Sequence, residues 1–250
     1  MRQEQPLVSV IMPAYNAERH IAESIGSVIS QTYNNWELLI TDDRSNDATQ
    51  QIINEYAIND SRIKLFINEQ NGGAGVARNN SIKQANGRFI AFLDADDQWL
   101  PEKLTTQISF MLKNNYAFTF TAYQKLESET LKGTVTPPQF TTYNKLLGSN
   151  VIGCLTAVYD SKKLGKHYMP LIRKRQDMGL WLNILKQTPK AYSIPDILAL
   201  YRVDSGMTQN KFKILKWQWH LYREVQKLNI LKSIKYFVVY ALKGYLKYKK

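Results

Sequence analysis

An apolar run that ends in three carboxylates is the feature that most constrains this chain. Residues 89–93 read FIAFL, and three acids follow them at once: Asp94, Asp96 and Asp97. A short apolar run is typical of a strand buried on both faces of a parallel sheet, and such sheets bind ligands beyond the carboxyl ends of their strands. The acids either form a polar turn before a helix that starts at Pro101, or hold a hard divalent cation that would in turn bind a diphosphate.

Strand-like and helix-like segments alternate along the first half of the chain, which predicts a Rossmann-like, doubly wound, mostly parallel α/β sheet with helices on both faces. The predicted strands are residues 7–12, 36–41, 62–68 and 89–93. Right-handed crossovers bring the turns after all four strands to one edge of the sheet. We therefore expect four polar segments to converge there, namely Tyr15, Asp43, residues 72–78 and residues 94–97.

The second half of the chain is less regular. Strands are predicted at 116–123 and 151–160, an amphipathic helix at 173–187, and one or two short strands within 191–206. Residues 124–150 are polar and are predicted to be irregular.

Composition limits the compartment and the number of domains. A chain of 250 residues with 44% hydrophobic residues accommodates one large α/β domain, alone or with an appendage. The single cysteine, Cys154, excludes an intramolecular disulfide framework and fits a reducing compartment. The chain passes from polar residues directly into a strand, and no stretch approaches the ~20 apolar residues of a membrane span. These features predict a cytoplasmic protein, or one held at the inner face of a membrane.

The net charge of +12 is concentrated in residues 211–250, which hold 11 Lys or Arg and one acid. On a helix, one side of this tail carries Lys232, Lys235, Lys243, Lys247 and Lys250, and the other carries Ile234, Phe237, Val238, Ala241 and Tyr245. This pattern favours a membrane-surface helix. The alternative is that the apolar side packs on the body and the lysines are solvated. Nucleic acid is disfavoured because no nucleic-acid-binding motif occurs and the first 210 residues are nearly neutral.

The first turn, MPAYNAE, contains no glycine, and no Walker A pattern occurs. A dinucleotide-binding dehydrogenase and a P-loop NTPase are therefore disfavoured.

Five motifs in order, VSVIMPAYN, ITDDRSND, NGGAGVARN, FLDADD and QDMGLWL, resemble those of the family-2 inverting glycosyltransferases with the GT-A fold. The match covers about 200 residues in the order and spacing of the family. The resemblance implies transfer of a sugar from a nucleotide-diphospho-sugar, expected to be a UDP-sugar, to a hydroxyl group with Mn²⁺ or Mg²⁺ as cofactor. It also implies a glycan or polyprenyl-linked glycan acceptor, as in enzymes that build bacterial O-antigen, capsule or lipooligosaccharide.

The resemblance assigns the donor pocket to four residues. Pro13 and Tyr15 would line the nucleoside pocket, and Asp43 would accept a hydrogen bond from the base. Arg78 would lie near the base or the phosphates, where a guanidinium suits anionic partners. The structural alternatives are a packed aromatic for Tyr15 and a turn cap for Asp43.

The resemblance assigns the chemistry to three aspartates. Asp94 and Asp96 would form the D-x-D element that touches ribose and metal, and Asp177 would be the catalytic base. Asp177 is otherwise an ordinary acid in the first turn of a helix. Trp181, on the same helix, is expected to be core or pocket wall.

Two positions depart from the family pattern. Gln176 stands where a glutamate usually precedes the base, and Asp204 stands where many members carry a histidine. Arg202 is expected to meet the diphosphate, or else to be a buried structural arginine.

Three segments follow from this interpretation: a nucleotide-sugar half (1–123), an acceptor half (124–210) and the basic helical tail (211–250). Two other functions are weighed, a catalytically silent nucleotide-sugar-binding protein of the same fold and a basic nucleic-acid-binding protein.

Overall fold

The structure is a computed structural model that describes residues 5–203 and 211–247, with side chains described over 5–203 and 214–244. The strands within these ranges are β1 (Val8–Ala14), β2 (Trp36–Asp42), β3 (Ile63–Ile67), β4 (Phe89–Phe92), β5 (Gln98–Trp99), β6 (Phe118–Glu127), β7 (Thr130–Val135), β8 (Phe140–Thr141), β9 (Val158–Asp160) and β10 (Ala191–Arg202). The helices are α1 (Ile21–Ile29), α2 (Thr49–Asn59), α3 (Ala74–Gln84), α4 (Lys103–Asn114), α5 (Tyr143–Gly148), α6 (Ser161–Leu164), α7 (Gln176–Ile184), α8 (Lys211–His220) and α9 (Ile230–Lys247).

The described strands form one sheet in the order β3-β2-β1-β4-β9-β6-β10-β5, with β7 beside β6 and β8 beside β10. Strands β3, β2, β1 and β4 are parallel, as are β6 and β10, whereas β9 runs antiparallel between β4 and β6. The predicted doubly wound, mostly parallel sheet is confirmed. The carboxyl ends of β1, β2 and β4 therefore meet at one edge.

Side chains of the central strands alternate between two cores, because successive residues of a strand point to opposite faces. Val10 and Met12 of β1 face the layer of α1, α2 and α4, and Ile11 faces the layer of α3, α5 and α7. On the second side, Trp181 is fully buried and lies edge-on to Phe92, with ring centroids 5.1 Å apart. This contact holds α7 against β4.

The structure differs from the sequence prediction in the second half of the chain. Residues 124–150 are not wholly irregular, since they include β7, β8 and α5. The β6–β7 hairpin turns at Ser128 and Glu129, with φ of 45° and 61°. Neither residue is a glycine, and β7 is exposed along nearly its whole length, so neither a turn signal nor an apolar period marks this hairpin in the sequence. The predicted strand at 151–160 contains a 3₁₀ turn and only three residues of β9.

The tail is joined to the body through α9. The Tyr236 hydroxyl donates to Asn144 Oδ1 of α5 at 2.9 Å, and a Cβ on Gly148 would lie 3.0 Å from the Val239 side chain. No helix in the described part of the chain has both the length and the apolarity needed to cross a membrane.

The apolar side predicted for the tail helix is divided in the structure. Phe237 packs on the body beside Tyr236, whereas Ile234 and Val238 are exposed. Leu231 and Leu242 extend the exposed stripe. We call Leu231, Ile234, Val238 and Leu242 the outward stripe of α9. The sequence shows only that these residues are apolar, because the choice of the packed face depends on where α5 lies.

Candidate active site

The turn after β1 is tied to the turn after β2. The Asn16 N–H donates to Ser45 Oγ, and the Asn46 N–H donates to Asn16 Oδ1, each at 2.9 Å. Pro13 is buried at the end of β1, and Tyr15 remains 50% exposed at the edge of the sheet. A ring exposed at this edge is available for stacking. The predicted contact of Tyr15 with the nucleoside is compatible with this position and stays a prediction.

Asp43 binds the loop that leads into α3. Its carboxylate is buried and accepts hydrogen bonds from Asn68 Nδ2 at 2.7 Å, from the Gly72 N–H at 2.9 Å and from the Gly73 N–H at 2.6 Å. Gly73 has φ of 84°, a conformation that glycine adopts without strain. An ionised carboxylate offers about four acceptor positions, so one remains for a base N–H.

Arg78 of α3 lies against Asp94, with Arg78 Nη2 and Asp94 Oδ1 2.5 Å apart. The arginine is only 8% exposed, and its Nε has no hydrogen-bond partner among the described residues. Burial alone lowers the pKa of Arg78, but nearby carboxylates, chiefly Asp94 and also Asp177, hold it above its usual value. Arg78 therefore stays positively charged, and the carboxylates of both Asp94 and Asp177 favour its charged form.

The acid turn after β4 carries surplus negative charge. Asp97 is buried, and its carboxylate accepts the Arg202 N–H at 2.9 Å. Burial, followed by the charges of Asp96 and Asp94, raises the pKa of Asp97 well above its usual value. Hard oxygen donors in a negative field suit Mg²⁺ or Mn²⁺, so the donor set fits the expected ion. Among the described residues, no three His, Cys, Asp or Glu side chains already stand in metal-binding arrangement.

Asp177 lies in the first turn of α7. Asn150 Nδ2 donates to Asp177 Oδ2 at 3.3 Å, and Asn150 Oδ1 accepts the Ile152 N–H at 3.2 Å. The start of α7 also touches the start of α3, since a Cβ on Gly75 would lie 2.8 Å from Gln176 Nε2. The same helix α3 carries Arg78, so Asp177 is brought toward the edge that holds Asp94.

Cys154 lies within electrostatic range of these groups. Burial raises the pKa of its thiol well above the usual value; Arg78 opposes this effect, and Asp94, Asp177 and Asp97 add to it. The thiol therefore experiences the acids of both regions at once. Helix α3 links the two regions, because Arg78 pairs with Asp94 and Gly75 lies against Gln176, the neighbour of Asp177.

Arg202 is 2% exposed at the end of β10. Its Nη2 pairs with Glu23 Oε2 at 2.7 Å, its Nη1 pairs with Glu129, and its Nε donates to the Asp96 carbonyl at 3.1 Å. The guanidinium therefore supports the acid turn through the Asp96 carbonyl. This position matches the alternative in which Arg202 is a buried structural arginine. The predicted contact with a diphosphate stays a prediction, and Asp204 lies outside the described residues.

Sequence reasoning missed three residues near Asp177, the predicted base. Asn150 and Cys154 gave no local signal, because their position depends on the path between α5 and β9. Arg175 immediately precedes α7 with φ of 70° and donates to the Tyr240 hydroxyl of α9. The charged run RKR before Asp177 was the signal available for this residue.

The sheet edge thus carries the acid turn 94–97, and Asp177 lies in the first turn of α7, the helix that contacts α3. The mostly parallel sheet with flanking helices is the fold of the GT-A transferases. The structure of S. aureus TarS 1-349 in complex with UDP has the same fold, with a TM-score of 0.71 at 22% sequence identity over 94% of this chain and 70% of that one.

Sequence comparison identifies the family. The model for "Glycosyl transferase family 2" matches residues 9–162. The chain is 46% identical to the Escherichia coli UDP-Glc:alpha-D-GlcNAc-diphosphoundecaprenol beta-1,3-glucosyltransferase WfgD, over 97% of this chain and 95% of that protein. It is 41% identical to the putative teichuronic acid biosynthesis glycosyltransferase TuaG of Bacillus subtilis, over 95% of each. The chain belongs to glycosyl transferase family 2 and is a glycosyltransferase, as the sequence motifs indicated.

Proposed function

We propose that this glycosyltransferase moves a sugar from a UDP-sugar to a hydroxyl of a polyprenyl-linked glycan, with inversion, in bacterial surface polysaccharide synthesis. The observation that carries the proposal is that α3 contacts both regions: Arg78 pairs with Asp94, and a Cβ on Gly75 would lie 2.8 Å from Gln176, the residue before the proposed base. The names of WfgD and TuaG support a surface-polysaccharide role, and the UDP complex of TarS supports the donor. UDP-glucose and a GlcNAc-diphosphate lipid are the first substrates to test.

The donor nucleoside is proposed to bind between the turns after β1 and β2. Tyr15 contacts the uracil ring, Pro13 forms the floor, and Asp43 accepts the uracil N–H with its remaining acceptor position. Arg78 then faces the diphosphate with a cation that is already desolvated, so little further desolvation is needed on binding.

Asp94 and Asp96 are proposed to hold Mn²⁺ or Mg²⁺. When bound, the cation supplies Lewis-acid stabilisation of the charge that develops on the leaving diphosphate. Arg202 supports this arrangement through its hydrogen bond to the Asp96 carbonyl.

Asp177 is proposed to take the proton from the acceptor hydroxyl as its oxygen attacks the anomeric carbon. A bond forms between that oxygen and the anomeric carbon while the bond from the carbon to the diphosphate oxygen breaks. The electron pair of the broken bond leaves with UDP. This single displacement converts an α-linked donor into a β-linked product.

The outward stripe of α9 is proposed to lie on an anionic inner membrane surface. Its apolar residues are flanked by Lys232 and Lys235, and this combination of apolar contact and positive charge binds anionic bilayers. The packed side of the same helix holds the cleft close to the bilayer, where a polyprenyl-linked acceptor is found.

Incubation with UDP-glucose, Mn²⁺ and a GlcNAc-diphosphate lipid tests the proposal. We expect UDP release that depends on the acceptor, and a product whose new linkage is β by NMR. A protein that binds the UDP-sugar but releases no UDP with any acceptor would instead be a silent nucleotide-sugar-binding protein. An α-linked product would contradict the single displacement.

A further inference from the structure

The side chain of Asn150, in the segment between α5 and the 3₁₀ turn at Cys154–Thr156, contacts the proposed base. Its Nδ2 donates to Asp177 Oδ2 at 3.3 Å, and its Oδ1 accepts the Ile152 N–H at 3.2 Å. The second contact decides which way the amide points. A flipped amide would set its NH₂ group against the Ile152 N–H and its oxygen against the Asp177 carboxylate. Asn150 therefore presents a hydrogen-bond donor to Asp177.

The segment around this asparagine is anchored in the core. The indole N–H of Trp99 donates to the Leu155 carbonyl at 2.8 Å, and Gln107 Nε2 donates to the Thr156 carbonyl at 3.0 Å. All four residues are 2% exposed or less. Trp99 belongs to β5, the strand that follows the acid turn. The segment is thus tied to the donor side of the site and reaches the proposed base from there.

A hydrogen bond donated to one carboxylate oxygen has two effects on a general base. It fixes the rotation of the carboxylate, so that with Oδ2 held by the amide, Oδ1 can accept the proton of the acceptor hydroxyl. It also favours the ionised form, which is the form that accepts a proton. Arg78 of α3 and the Cys154 thiol interact electrostatically with Asp177 as well. A change at Asn150 leaves both of those groups in place.

We propose that Asn150 is a positioning residue for the transfer reaction, whose amide holds Asp177 in the orientation in which Oδ1 meets the acceptor hydroxyl. The inference rests on the proposed role of Asp177 as the base and goes beyond it by naming the group that orients this base. Asn150 acts through Asp177 rather than on a substrate. The position therefore requires a hydrogen-bond donor, and a group of the same size that only accepts hydrogen bonds cannot replace it.

Asn150→Asp tests the requirement for a donor, because aspartate has the same size and can still accept the Ile152 N–H. With Mn²⁺, UDP-glucose and the GlcNAc-diphosphate lipid, kcat at neutral pH should fall by about 10–100-fold while KM for UDP-glucose changes by less than about twofold. The acidic limb of the pH profile of kcat should move to higher pH by about one unit. Asn150→Ala should move this limb in the same direction by a smaller amount.

Asn183→Asp is the matched control, because it adds the same charge to α7 itself. Asn183 Oδ1 accepts Gln226 Nε2 at 3.1 Å, a contact that a carboxylate keeps. This variant should leave both kcat and the acidic limb unchanged. An equal shift in Asn183→Asp would assign the effect to the added charge and overturn the proposal. A loss of kcat in both Asn150 variants with an unmoved limb would also overturn it, since that result indicates a structural role alone.

If the wild-type protein transfers no sugar to this acceptor, the proposed function fails, and a titration without substrates decides the role of Asn150. The NMR resonance of the Asp177 carboxyl carbon, assigned by its absence in Asp177→Asn, should titrate at higher pH in Asn150→Ala than in the wild-type protein. Identical titration curves would overturn the proposal. Asn150→Ala also decides if Asn150→Asp fails to fold, since it introduces no charge.

Discussion

A single buried arginine joins three distant parts of the chain behind the acid turn. Arg202 contacts Glu23 of α1, Glu129 of the β6–β7 turn and the Asp96 carbonyl. Because each contact uses a different nitrogen of the guanidinium, lysine could not replace all three. The position of the D-x-D element thus depends on a side chain that lies 106 residues further along the chain.

At the same scale, the burial of Lys103 is expected to make stability depend on pH. It is fully buried, its Nζ donates to Gln107 Oε1 at 2.7 Å, and burial lowers its pKa to about 7. The unfolded chain keeps the usual pKa near 10.4, so between about pH 7 and pH 10 the unfolded state binds the extra proton. The free energy of unfolding should therefore rise with pH in this window, by up to ~1.4 kcal/mol per pH unit from this group. Below about pH 7 the amine is protonated in both states, so it adds no pH dependence there.

Urea unfolding of the wild-type protein and of Lys103→Met at pH 7, 8 and 9 measures this contribution. We expect the stability of the wild type to rise relative to that of the variant as the pH increases. Parallel stability profiles would show that the Lys103 amine keeps its proton in the folded state.

Motif order and strand ends are local properties, so the sequence was enough to propose Asp94, Asp96 and Asp177, whose roles stay predictions. It could not predict that Asp43 accepts three hydrogen bonds, or that Asn150 donates to Asp177. Those contacts depend on how loops distant in sequence pack together. For Arg202 the two alternatives stayed open because the residues that surround it are far away in the chain.

At the scale of elements, the close packing of α7 depends on Gly179. A Cβ on Gly179 would lie 2.5 Å from Pro170 Cγ, whereas a Cβ on Gly26 of α1 would meet no atom within 4 Å. Gly179→Ala should lower the free energy of unfolding by ~1–3 kcal/mol through overpacking. Gly26→Ala should raise it by about 0.5–1 kcal/mol, since alanine favours the helix. Denaturant unfolding of the pair checks both values, and a shift in the same direction for both would contradict the packing described for α7.

The strands of the first half were predictable because continuous apolar runs with short connections leave few alternative topologies. The β6–β7 hairpin was not, since its turn lacks glycine and β7 is exposed. The apolar residues of α9 were predicted, but their division between a packed and an exposed side was not. That division follows from contacts with α5 that helix periodicity cannot supply.

For the whole molecule, the orientation on a membrane is the property to test. Ile234→Gln/Val238→Gln removes two apolar side chains of the outward stripe and should weaken binding to phosphatidylglycerol vesicles by at least about tenfold, because each buried side chain is worth about 1.5–3 kcal/mol. Ile58→Gln is the control, since Ile58 is apolar and even more exposed but lies on α2. Flotation of the three proteins gives the comparison, and equal flotation of both variants would argue against α9 as the contact.

The union of donor acids and base in one cleft is tested most directly by comparing two variants in one assay of UDP binding and sugar transfer. With Mn²⁺ present, Asp177→Asn should bind UDP as the wild type does while its rate of transfer falls by ~10²–10⁴-fold, as expected for the loss of a general base. Asp96→Ala should lose the Mn²⁺-dependent part of UDP binding. Normal transfer by Asp177→Asn would remove Asp177 from the reaction and contradict a shared cleft.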